Sequence, residues 1–161
     1  MRRWWLGFAI VVAVTFGLDQ GSKAWARSSL PANQPQPVIH GYWDWELAEN
    51  PGAAFSSFPD GSARVALSLV AIAAIAGITY LVARTRPEQR VQRAAYAMLA
   101  GGALGNLVDR LRHGTVTDFV RWHADTHMWP VFNVADCALV IGVAMLVADS
   151  LLVSRRRAAA V

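Results

Sequence analysis

Two aspartates, Asp118 in "VTDF" and Asp136 in "FNVAD", are the residues of this sequence best suited to chemistry. Each stands close to a border between polar and apolar sequence, and a carboxylate at the edge of a hydrocarbon layer is costly enough to imply a function. Two carboxylates brought close repel if both ionise, so one keeps a proton and the pair can hold a water between them. One takes the water's proton while the other donates to a carbonyl oxygen, which hydrolyses a peptide without a metal or a covalent intermediate. Spacing along the chain does not bring residues 118 and 136 together, and on residue type alone two structural carboxylates fit equally well.

The remaining reactive residues read more blandly. Asp19 and Lys23 stand at i, i+4 on the first apolar segment, where a structural ion pair is a better reading than catalysis because each would otherwise be an uncompensated charge. Ser22 points to a different part of that helix, which disfavours a Ser–Lys nucleophile. Cys137, the single cysteine, has no histidine in its motif and reads as a small buried hydrophobe. His123 and His127 have the spacing of a zinc pair but lack the glutamate of a metalloprotease helix and a third ligand. They read as surface-loop histidines, so neither a metal nor any other cofactor is expected.

The elements that must position these residues are membrane helices. The chain has 161 residues, 55% of them hydrophobic and 16% charged, an apolar share above that of ordinary soluble domains. Four apolar stretches, at about 4–22, 63–83, 91–108 and 131–153, each approach the roughly 20 residues that cross a bilayer as a helix. The third is rich in Ala and Gly, and Gly101 and Gly105 form a small-xxx-small pair that suits a helix enclosed by others.

The net charge of +4 is segregated. Arg2 and Arg3 precede the first stretch, Arg84, Arg86, Arg90 and Arg93 fill the connection after the second, and Arg155, Arg156 and Arg157 follow the fourth. The positive-inside rule then puts both termini and the middle connection in the cytoplasm, and the basic excess reports topology instead of nucleic-acid binding. The outer loops, at about 24–62 and 109–130, hold seven of the eleven acids, Asp44, Glu46, Glu49, Asp60, Asp109, Asp118 and Asp125, and Asp19 and Asp136 lie beside them. Within the first of them, "YWDWELAEN" alternates Trp43, Trp45 and Leu47 with Asp44, Glu46 and Ala48, which predicts a strand with one apolar face and a small sheet at the outer surface. Trp4 and Trp5 at one end, and Trp122 and Trp129 at the other, fit interfacial belts. The N-terminal run ending in "AWA" at Ala26 also fits a cleaved signal peptide.

Five motifs, "DQGSK" (19–23), "NPGAAFS" (50–56), "GNLVDR" (105–110), "VTDF" (116–119) and "FNVAD" (132–136), resemble in order and spacing those of bacterial lipoprotein signal peptidase, or signal peptidase II. The resemblance runs from the first helix to the fourth. It implies an all-α inner-membrane aspartyl endopeptidase, one polytopic unit over 1–161 with four transmembrane helices and a small extracytoplasmic β-cradle. The implied reaction removes signal peptides from prolipoproteins, cutting before a cysteine that carries a diacylglyceryl group. Asp118 and Asp136 would be the catalytic pair. Asn50, Gly52, Asn106, Arg110 and Asn133 would line the site, Asn106 and Arg110 holding substrate backbone and Asn133 orienting Asp136. Asp19 and Lys23 match the first-helix pair, which argues that the first helix is retained and not cleaved at Ala26. Pro51 stiffens its loop by fixing φ, while Gly52, Ala53 and Ala54 suit a turn that approaches substrate closely. The expected partners are lipidated prolipoproteins and membrane lipids, with no nucleic acid, and the expected working form is a monomer.

Two rival classes remain. A small transporter would line a route with Asp19, Lys23 and Asp136, but should carry polar residues through the full membrane depth, whereas the inner halves of these helices are apolar. A non-catalytic factor that binds lipidated peptides would use the same groove without turnover.

Overall fold

The computed structural model describes residues 3–32, 34–52, 62–124 and 127–158. Four helices, α1 (Arg3–Ser29), α2 (Ser62–Arg84), α3 (Arg90–His113) and α4 (Val134–Ala158), carry four short strands, β1 (Gln36–Ile39), β2 (Trp43–Asn50), β3 (Val116–Ala124) and β4 (His127–Met128). Three helices, α1, α2 and α4, are long and apolar enough to cross a membrane. The third stretch departs from expectation: α3 is long enough, but its Ala, Gly and polar residues leave it short of the apolar character of the others.

That composition follows from its place. Helix α3 packs against α1, α2 and α4, and its buried face is made of Ala95, Ala97, Ala100, Gly101, Gly102 and Gly105. A Cβ on Gly101 would stand 2.7 Å from Thr15 Cβ of α1, one on Gly102 2.7 Å from the Ala135 carbonyl of α4, and one on Gly105 2.3 Å from Asp19 Oδ2. The small-xxx-small pair thus sets the α1–α3 approach. Large apolar side chains point the other way: Leu6, Ile10, Val14 and Leu18 on α1, Val65, Leu69 and Val70 on α2, and Val140, Val143 and Val147 on α4 are exposed. Small residues inside and large apolar ones outside suit a bundle whose solvent is lipid.

Gly105→Ala is expected to destabilise the bundle by about 1–3 kcal/mol through overpacking against Asp19. Thermal unfolding in detergent reads it; an unchanged midpoint would mean that α1 and α3 lie further apart than this.

Helix limits differ from the sequence expectation where polar residues are buried. Helix α1 continues to Ser29, past Ala26, which is fully buried, so the first outer loop begins later than residue 24. Helix α3 continues to His113, which places Asp109 on a helix and not in the second outer loop. It stops at Gly114, whose φ of 84° is the left-handed conformation that lets its N–H reach the Arg110 carbonyl at 3.1 Å. Helix α4 starts at Val134, three residues after the apolar stretch does.

The strands form one antiparallel sheet in the order β1-β2-β3-β4. Trp43 and Trp45 pack as expected, Trp45 lying 5.2 Å from the Trp25 ring and 5.9 Å from Phe119, which docks the sheet on the end of α1. The opposite face is not simply solvated: Asp44 is buried, its Oδ2 lies 3.1 Å from His123 Nε2, and Glu46 pairs with Arg121 at 2.6 Å. His123 and His127 therefore sit on β3 and β4 and not in a loop, on the two arms of a hairpin instead of one helix face. Cys137 corrects another expectation, because it is exposed on the outer face of α4.

Candidate active site

The parts of α1, α3 and α4 carrying Asp19, Asn106 and Asp136 meet β3 at one end of the bundle, and at the other the start of α3, with Arg90 and Arg93, lies beside the start of α1 and the end of α4, which together form its arginine-bearing end. Two backbone features bring Asp118 and Asp136 together. Phe132 exchanges hydrogen bonds with Val120 at 2.9 and 3.0 Å, which ties the residue before Asn133 to β3. Asn133 then caps α4: its Oδ1 accepts the Asp136 N–H at 3.0 Å, while Asp136 Oδ2 accepts the Asn133 N–H at 3.2 Å. This reciprocal pair is the capping box, and it fixes Asp136 in the first turn, where a carboxylate complements the helix dipole.

The Asn133 side chain also donates to Asp118 Oδ1 at 2.6 Å, so one fully buried residue touches both aspartates. Asn50 donates to Asp118 Oδ2 at 2.9 Å. Pairing of Ala48 with Asp118 and Asn50 with Val116 sets Asn50 diagonally across β2 and β3 from Asp118, within side-chain reach. Asn50 Oδ1 accepts the Gly52 N–H at 2.8 Å in an Asx turn, and Gly52 has φ of 100°, where an added Cβ would also meet Leu67 at 2.6 Å. Ala53, Ala54 and the rest of that motif, with Asp60 and Asp125, lie outside the described residues.

Asn106 spends its side chain inside the cluster. It donates to Asp136 Oδ1 at 2.9 Å and accepts from Lys23 at 2.9 Å and Asn133 at 3.2 Å, so it positions Asp136. Arg110 is half-buried, with its Nε unpartnered and its charge acting on Asp136, Asp118 and Asp109. Burial raises the Asp118 carboxyl from 3.8 to about 6; the Asn50 hydrogen bond opposes this and the Asp136 charge adds to it.

Asp19 and Lys23 are fully buried and 2.9 Å apart, and they do more than neutralise each other. Asp19 Oδ1 accepts the Ala135 N–H at 2.9 Å, so a side chain of α1 caps the first turn of α4. Lys23 also pairs with Asp109 at 3.2 Å, and Asp109 Oδ2 accepts the Thr117 N–H at 3.1 Å, one residue before Asp118. Gln20 donates to Asp109 at 3.2 Å, and Arg27 donates to Thr117 Oγ1 at 2.8 Å.

Reading the sequence missed Asp109, Thr117, Gln20 and Arg27 as parts of this site. The spacing of Asn106, Asp109 and Arg110, at i, i+3 and i+4, was the available signal for Asp109, and "NVAD" is itself a capping-box pattern. Among the described residues, no group of three or more His, Cys, Asp or Glu is arranged to hold a metal.

A family model described as "Signal peptidase (SPase) II" matches residues 11–152. The lipoprotein signal peptidase of Xanthomonas campestris pv. campestris (strain 8004) is 44% identical over 141 residues, 84% of each chain. That of Xylella fastidiosa (strain 9a5c) is 41% identical over 140 residues, 86% of this chain and 82% of the relative. A bacterial membrane enzyme solved by the in meso method at 1.9 Å shares the fold, with a TM-score of 0.81 and 24% identity over 90% of this chain and 92% of that one.

Proposed function

The chain belongs to the signal peptidase II family of membrane peptidases, and from that footing we propose that it cleaves prolipoproteins with Asp118 and Asp136 as an aspartyl pair, immediately before a diacylglyceryl-modified cysteine. The observation that carries this reading is Asn133, which hydrogen-bonds both carboxylates at once. Asp118 carries the shared proton, in keeping with its elevated titration near pH 6, and Asp136 is the carboxylate that takes a proton from water. The water oxygen bonds to the scissile carbonyl carbon while Asp118 protonates the carbonyl oxygen. The C–N bond then breaks as the amine collects the proton held by Asp136, and Asp118 takes back a proton from one hydroxyl of the diol, which leaves a carboxylic acid and restores the pair. Arg110, half-buried beside the pair, supplies donors for substrate backbone, and Asn50, Asn106 and Asn133 hold the carboxylates in place.

The setting fits a lipid-anchored substrate. In this reading all four helices span a bacterial inner membrane, α3 being tolerated because its polar face is enclosed, and the arginine-bearing ends and both termini are cytoplasmic. The pair then lies at the outer boundary, level with a peptide bond beside a diacylglyceryl anchor.

Purified protein in detergent, with a chelator present, should convert a diacylglyceryl-modified prolipoprotein to a product that begins at the lipidated cysteine, and should leave the unmodified precursor intact. Mass spectrometry of the product decides it. Binding without cleavage would move the protein to the non-catalytic class, and chelator-sensitive cleavage would remove the metal-free mechanism. Because Asp118 must hold a proton, kcat/KM should fall tenfold per pH unit on its alkaline side, with an apparent pKa at or above about 6. A profile flat from pH 5 to pH 9 would assign the proton elsewhere.

A further inference from the structure

The arginine-bearing end of the bundle holds an arrangement that cleavage does not use. Between α1 and α3 lies a concavity of about 180 Å³ whose lining includes Trp4, Phe8, Val11, Arg90, Arg93 and Ala97. Two N–H donors in its wall, Trp4 Nε1 and Arg93 Nε, are buried and have no hydrogen-bond partner. Unpaired buried donors are destabilising unless an acceptor arrives. Arg93 is held in place from two sides, its guanidinium 5.7 Å from the Trp4 ring centroid and its Nη2 donating to the Pro87 carbonyl. Among the described residues, no ion pair involves Arg90 or Arg93, and Asp149 of α4 accepts from Gln92 at 2.9 Å.

An apolar groove of about 740 Å³ continues up the same α1–α3 seam, lined by Trp5, Phe8, Val12, Phe16 and Leu104 among others. Phe8 borders both hollows. A cationic pocket with orphaned donors at one end of an apolar groove has the chemical profile of a phospholipid: an anionic headgroup oxygen at the first, an acyl chain along the second. We propose that this seam binds one anionic phospholipid, its phosphate received by Arg90, Arg93 and the Trp4 indole N–H, and one of its chains lying along α1. A zwitterionic headgroup would bring its own cation to two arginines and gain less. Seating the phosphate requires Arg93 to turn off the Trp4 face, because neither orphaned atom is reached by solvent. In the membrane orientation proposed above, the lipid comes from the cytoplasmic leaflet.

The test measures lipid retention by native mass spectrometry on the delipidated full chain in neutral detergent, titrated with phosphatidylglycerol, phosphatidylcholine or inorganic phosphate. Retention of phosphatidylglycerol is expected to weaken about tenfold in Arg93→Gln and about fivefold in Trp4→Phe, which keeps the ring and removes only the donor. Arg155→Gln, an exposed arginine at the same end, should retain lipid like wild type. Equal retention by wild type and both seam variants would overturn the proposal, as would equal retention of phosphatidylcholine. Displacement of the lipid by excess inorganic phosphate would show a free-anion site and overturn the lipid assignment. Cleavage is not read in this experiment, so its failure and that of the peptidase reading are separate results.

Discussion

Asp118→Asn and Asp136→Asn are each expected to slow single-turnover cleavage of a lipidated prolipoprotein by about 10²–10⁴-fold while leaving substrate binding intact. The amide keeps the size of the carboxyl group but neither carries an exchangeable acid proton of suitable strength nor accepts one from water. For Asp118 the stability change should run opposite to the activity change. Its folded-state titration near 6 lies above the ordinary 3.8, so the folded chain holds this proton more tightly than the unfolded one. The stabilisation is fully present below about pH 4 and is lost as pH rises through about 6, a change on the order of 3 kcal/mol. Asp118→Asn removes the ionised carboxylate from a site only 2% exposed, and so should melt higher than wild type at pH 7 and close to it at pH 4. The gain is trimmed because the new amide sets a donor against the donors of Asn50 or Asn133. An Asp118→Asn protein that cuts within tenfold of the wild-type rate would end the dyad assignment.

Lys23→Met is expected to cost about 3–5 kcal/mol, the range for removing one partner of a buried ionic cluster. Lys23 is fully buried and reaches Asp19 at 2.9 Å, Asp109 at 3.2 Å and Asn106 Oδ1 at 2.9 Å. Without its ammonium, two buried carboxylates face each other, with Arg27 3.8 Å from Asp109 as the remaining pairing cation. The same loss frees Asn106, which holds Asp136, and perturbs Asp19 and Asp109, which anchor the start of α4 and the strand residue before Asp118. Activity should therefore fall with stability. The double variant Lys23→Met, Asp109→Asn should recover part of the lost stability by lowering the uncompensated charge, and a double variant less stable than the single would show that the charge balance is not what Lys23 supplies. Detergent-phase thermal unfolding reads both.

The helical membrane architecture was legible because hydropathy and charge act locally: about 20 apolar residues and the arginines beside them carry their meaning without knowing their neighbours. The alternation of Trp43 and Trp45 with Asp44 and Glu46 likewise announced β2, although not that Asp44 would be buried against His123. The extents of α1 and α3 were not legible, since hydropathy falls where Asp19, Lys23, Asn106 and Asp109 enter a helix, and only their mutual pairing keeps them helical and buried. Cys137 went the other way. Its side chain falls on the outer face of α4, a matter of helix rotation that no single residue type reveals.

The sequence by itself thus determined the membrane class, the placement of charge and the ordered motifs that mark the family. Tertiary structure decided how the residues of those motifs meet and which others hold them. Asp118 and Asp136 come from a strand and a helix, and their meeting depends on the Phe132 tether to β3, the Asn133 cap and the buried Asp19–Lys23–Asp109 cluster. Asp19 also accepts the Ala135 N–H from 116 positions along the chain, a contact that exists only once α1 and α4 are packed together.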